Sequence, residues 1–192
     1  MPRPGTIAFS RAEPEDPLLA RICLTIDAPG DSHDGVRFYA PAARVMPFGW
    51  ERRFTLHLLK DSSIDAETAA KVPLESLALD DKPLLDLFSV RYYRGGDHFV
   101  ALDPQMTPHA LKSLLGSVPI GGRPFVVSAD GAQIYLGAFW SSVSSLMPRG
   151  PYVMTESVTS QGFAIQPPPN GMDLRSDVRI VSALRESGKL AP

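Results

Sequence analysis

A single cysteine, Cys23, leaves this chain no internal disulfide, so a packed core has to hold it together. Neither charge is in excess: 21 acidic residues stand against 19 basic ones, for a net charge of −2. The basic residues collect into no run or stripe, which argues against a nucleic-acid partner, because such proteins concentrate cations to displace counterions. No stretch approaches the 18 or so consecutive apolar residues of a membrane helix, so no membrane partner is expected. HxH, HExxH, CxxC and EF-hand spacings are missing, as are glycine-rich phosphate loops, so neither a metal nor a cofactor is expected. The opening Met1-Pro2-Arg3-Pro4-Gly5 lacks the apolar core of an export signal, and the expected location is the cytoplasm.

Proline is what the chain has in excess, with 19 residues in 192. So many breakers predict short elements joined by turns and argue against a helical bundle. The hydrophobic fraction of 44% and charged fraction of 21% are those of an ordinary globular protein. A chain of this length buries about 70% of its unfolded surface, which is enough for one core.

Residues 1–16, rich in Pro and Glu without a period, read as a flexible arm; residues 17–192 read as a single domain. Strand alternation runs through 19–27, 36–40 and 53–60, the last with Phe54, Leu56 and Leu58 inward. A short helix is expected over 65–71, capped from Asp61, Ser62 or Ser63 and ended by Pro73. Strands at 88–93 and 98–102 flank Gly95-Gly96, the signal for a two-residue hairpin. Thr107-Pro108 starts a helix with Leu111, Leu114 and Leu115 as its buried stripe. The central feature is a hairpin of 124–128 and 132–140 about Ala129-Asp130-Gly131. Its second arm places Ile134, Leu136, Ala138 and Trp140 on one face, with Tyr135 and Phe139 on the other. An arm apolar on both faces belongs in the middle of a sheet. Strand-like runs follow at 152–158 and 163–166, and a last helix opens at Ser176 or Asp177 and closes at Gly188. The expected fold is α+β, with a mainly antiparallel or mixed sheet of six to eight short strands and three short helices. A β-sandwich with decorating helices is the alternative.

Gly30-Asp31-Ser32 is read as a polar turn and not as the Gly-Asp-Ser block of lipase-like hydrolases. Ala28-Pro29 replaces the apolar strand that should lead in, and no histidine follows His109 to activate the serine. Asp31, His33 and Asp34 lack further converging ligands for a metal. Cys23 and His57 both lie off the core faces of their strands, so a thiol–imidazole pair requires those strands to be neighbours.

Two clusters remain. Tyr93, Asp97, His98 and Asp103 surround the Gly-Gly turn; as a two-residue loop it sets Arg94 opposite Asp97 and Tyr93 opposite His98. A carboxylate beside an imidazole is an acid–base pair, and the bland reading is a charged pair at a hairpin tip. The serine-rich segment 141–151 follows the buried Trp140 arm. Ser141, Ser142 and Ser144 with freed backbone N–H groups suit an anion, with Arg123 or Arg149 supplying charge. Leu146 and Met147 suit insertion into a partner's pocket, and the bland reading is serines satisfying the local backbone. The function read from this is a non-catalytic binding domain that contacts a protein partner or a small ligand through 141–151. The alternatives are a small acid–base hydrolase or isomerase at Asp97, His98 and Asp103, and a structural subunit of a larger assembly.

Overall fold

A computed structural model describes residues 53–192 of the chain. Among them nine strands and three helices make an α+β fold with two mixed sheets. The 1–16 arm, the strands expected over 19–27 and 36–40, the 30–34 loop and Cys23 lie outside the described residues.

The central hairpin is β5 (Arg123–Ala129) paired with β6 (Ala132–Trp140). Asp130 and Gly131 turn it with φ of 48° and 79°. Two successive left-handed residues match the twist of the flanking strands, which is why Asp-Gly serves here. The pair sits inside a five-stranded sheet of order β2 (Leu85–Asp86), β1 (Phe54–Leu58), β5, β6, β7 (Tyr152–Met154). The expected facing of β6 needs one correction. Val127 pairs with Tyr135 but Ser128 pairs with Gln133, so Ile134 is an extra residue. This bulge turns Ile134 into the same core as Tyr135 and removes it from the Leu136 face.

Both faces of the sheet are covered, as the apolar hairpin requires. On one face Phe54, Phe125 and Phe139 enter a core shared with the second sheet. On the other, Val126 packs with Leu59, Leu77 and Ala69 of α1 (Ala66–Ala69). The second sheet has the order β8 (Gly162–Ala164), β4 (Phe99–Leu102), β3 (Val90–Arg94), β9 (Leu190–Ala191), with β9 parallel to β3. Phe54 meets Tyr93 at 6.4 Å between ring centroids, and Phe139 meets Phe163 at 6.0 Å, so aromatic contacts join the two sheets. Burying each such side chain stabilises the fold by about 1.5–3 kcal/mol.

Helices α2 (Pro108–Leu115) and α3 (Val178–Glu186) close the core with Leu111, Leu115, Ile180, Ala183 and Leu184. Thr107 caps α2, accepting from the Ala110 N–H at 3.1 Å. Leu114 does not join the buried stripe; a helix this short meets the core along the Leu111–Leu115 line and leaves Leu114 in solvent. The cap of α1 is Asp65, bonded to the Thr68 N–H at 2.8 Å, and not residues 61–63. Asp61 instead binds Ser63. The run at 152–158 stops being strand at Met154 and continues as a 3-10 turn, Thr155–Ser157.

β7 runs parallel to β6. A chain leaving the end of one strand must return to the start of a parallel neighbour, a crossover of about a dozen residues. Segment 141–151 is that crossover, which gives the serine-rich stretch a topological reason to be long.

Candidate functional site

The β3–β4 turn is longer than Gly95-Gly96 predicts. Arg94 pairs with Phe99 and Tyr93 with Val100, so residues 95–98 form the turn and His98 belongs to it with φ 53°. The cross-strand contacts expected of the short turn form all the same. Arg94 Nε and Nη2 donate to Asp97 at 2.8 and 2.6 Å on the exposed tip, holding that carboxyl below the usual range. The left-handed backbone of His98 swings its ring inward. Tyr93 Oη lies 2.6 Å from His98 Nδ1, a hydrogen bond whichever group donates.

His98 and Tyr93 are buried beside Arg175, which is itself buried. Arg175 Nη1 donates to the Ile165 carbonyl at 2.6 Å, and its Nε and Nη2 grip Asp173 at 2.8 and 2.6 Å. Desolvation, reinforced by the Arg175 charge, lowers the His98 pKa and favours the neutral ring. Desolvation raises the Tyr93 phenol above its ordinary value. Asp103 is not part of this group. It follows Leu102, at the opposite end of β4 from His98 and about 16 Å along the strand, and it caps the turn at Gln105. The expected quartet thus separates into an exposed ion pair, a buried Tyr–His–Arg network and a distant turn residue. The link between the 173–175 segment and the β3–β4 turn is Tyr93 Oη, which donates to the Arg175 backbone carbonyl at 3.5 Å. Asp97, spent on Arg94, is not the carboxylate partner of the imidazole.

The serine-rich crossover is more closely bound than its composition suggests. Ser141 Oγ, Ser142 N and Ser142 Oγ all donate to Glu156 Oε1, at 3.1, 2.9 and 2.9 Å. The anion that hydroxyls and freed N–H groups were expected to hold is the chain's own carboxylate. Led by the Ser142 N–H, these bonds bring Glu156 down to about 2. Ser144 Oγ donates to the Ile120 carbonyl at 2.6 Å and so ties the crossover to the turn before β5.

Other residues expected in this site make contacts within the fold. Trp140 is buried; its ring lies where a Cβ on Gly122 would come within 2.4 Å, and Gly122 has φ +80°. Arg123 spends Nη1 on the Ser62 carbonyl at 2.6 Å, and Arg149 spends Nε on Glu67 at 2.9 and 3.0 Å. Leu146 and Met147 are exposed, 45% and 66%. Beside them stand two residues that sequence reasoning missed, Val143 at 84% and Ile120 at 65%. The available signal was Ile120 lying between Pro119 and Gly121-Gly122, a turn too tight to bury its side chain.

Among the described residues no three His, Cys, Asp or Glu side chains gather as a metal site, and no helix is long and apolar enough to cross a membrane. No protein-family model, no curated protein and no solved structure matches this chain.

Proposed function

We propose that this chain is a binding domain whose two adjacent loops, 117–122 and 141–147, hold a protein partner. The observation that carries the reading is the exposure of Ile120, Val143, Leu146 and Met147 on loops hydrogen-bonded into one arrangement. Glu156 clamps the base of the crossover and Ser144 ties it to the Ile120 carbonyl, so ordering the loops costs little when a partner docks. Exposed apolar side chains grouped on a surface favour association over solvation. Neither loop contains a charged residue, so the reading favours an apolar pocket on a protein over the phosphates of a nucleic acid.

The test is cross-linking from a photoreactive residue at Val143, with wild type beside Leu146→Asp/Met147→Asp and a control, Leu114→Asp on α2. Each substituted side chain is exposed, so all three proteins should melt within a narrow range. The reading expects one partner to be cross-linked by wild type and control and lost from the double variant. Equal capture by the double variant, or loss from the control as well, removes the loops as the contact face.

A further inference from the structure

A groove of about 330 Å³ lies beside α1 and the end of the crossover, and its lining includes none of Ile120, Val143, Leu146 and Met147. Leu136, Gly137 and Ala138 of β6 line it, together with Val72, Leu77, Met172 and Leu174. The strap leading into β7 closes one flank. A Cβ on Gly150 would stand 2.6 Å from the Leu136 carbonyl oxygen, so the strap rests on the strand and leaves the remaining space open. The lining is apolar except for Tyr135, Asn170 and Arg149, and of these Arg149 alone is charged. Glu67 engages Arg149 through Nε, and among the described residues nothing engages its two terminal amino groups.

We propose that this groove binds a small apolar monocarboxylate. An apolar cleft with one or two placed polar groups is the usual form of a small-molecule site. At about 30 Å³ per water-sized group, the volume admits roughly eleven groups, the size of an eight-carbon acid. The free end of the Arg149 guanidinium presents two parallel donors, which a carboxylate accepts as a fork. Glu67, holding the opposite side of the guanidinium, positions that fork and does not touch the ligand. A phosphate or longer polyanion would find no second cation in the lining. The proposal is independent of the loop surface and involves none of its apolar residues.

The probe is octanoate, titrated by calorimetry against the full chain, with 1-octanol and acetate as partial ligands. Saturable one-to-one binding of octanoate is expected, with octanol and acetate each at least about tenfold weaker. Arg149→Met should weaken octanoate by at least about tenfold. Ala70→Trp, at an exposed position on the groove wall, should abolish binding by filling the space without opening the core. Thermal melts confirm that both variants fold, and if one does not, the other with the two partial ligands decides the case. Octanol binding as well as octanoate, or unchanged octanoate affinity in a folded Arg149→Met or Ala70→Trp, overturns the site. So does the absence of saturable octanoate binding.

Discussion

Replacing Arg175 by Met keeps an unbranched apolar stem but shortens it and removes its charge and donors, which makes it a sharp test of the buried network. Two losses compete with one gain. The Ile165 carbonyl, on a residue 1% exposed, loses a charged donor at 2.6 Å, at a cost of about 1.5–3 kcal/mol. Asp173 loses its guanidinium, but its side chain is 41% exposed and water replaces most of that pair, so this loss is about 0–1 kcal/mol. Met recovers part of the difference by burying a thioether where a cation stood. The net expectation is a loss of about 2 kcal/mol, or roughly 4–8 °C in Tm for a chain of this size. A second readout separates this network from mere packing. Arg175 helps keep His98 neutral, so its removal should raise the imidazole pKa toward the ordinary value. In the wild type the unfolded imidazole takes its proton before the folded one. Stability therefore falls as pH drops from about 6.5 through the lowered folded value, and that slope should be shallower in Arg175→Met. Urea unfolding from pH 5 to 8, with NMR titration of His98, measures both. Unchanged stability together with an unchanged His98 titration would refute the network.

Gly137 and Gly96 should behave oppositely on conversion to Ala. At Gly137 the new Cβ would come within 2.4 Å of the buried Phe125 ring and 2.8 Å of the Pro151 carbonyl, and overpacking of this kind costs about 1–3 kcal/mol. At Gly96 it meets nothing within 4 Å, so the change should stay within about 0.5 kcal/mol; equal urea midpoints for the two variants would contradict the packing described. Glu156→Gln probes the crossover clamp. The folded carboxyl titrates near 2, below its unfolded value, so its contribution is present above about pH 4.5 and fades as pH falls toward 2. Wild type should exceed the variant in urea midpoint at pH 7 and converge with it near pH 2, and a constant gap across that range would count against the clamp.

Local signals were sufficient where backbone chemistry is local. Asp130-Gly131 had to turn a tight hairpin because both residues accept positive φ, and Thr107-Pro108 had to start a helix because Pro needs no donor there. The doubly apolar β6 had to be central, since only a strand covered on both faces can be so poor in polar residues. These follow from periods of two and 3.6 and from the covalent limits of Gly and Pro.

What alternation could not carry was the bulge at Ile134, because a one-residue insertion leaves the spacing of apolar residues looking regular. Nor could it carry the length of the β3–β4 turn. Gly-Gly satisfies a two-residue loop, and the four-residue loop was decided by His98 gaining Tyr93 and a buried place beside Arg175, 77 positions further on. The candidate site divides the same way. Leu146 and Met147 were legible as apolar residues among serines and proline, while the anion held by those serines was not, since Glu156 meets them only when β7 pairs parallel to β6.

By itself, then, the sequence determined the class of fold, the central hairpin, the starts of α2 and α3 and the exposed Leu-Met pair. Each depends on residues within one turn or one strand of each other. Tertiary structure alone decided the parallel partners of β6 and β3, the burial of His98, the filling of the serine nest by Glu156 and the groove beneath Arg149. These join segments far apart in the chain, and their free energy comes from shared burial, which no local pattern records.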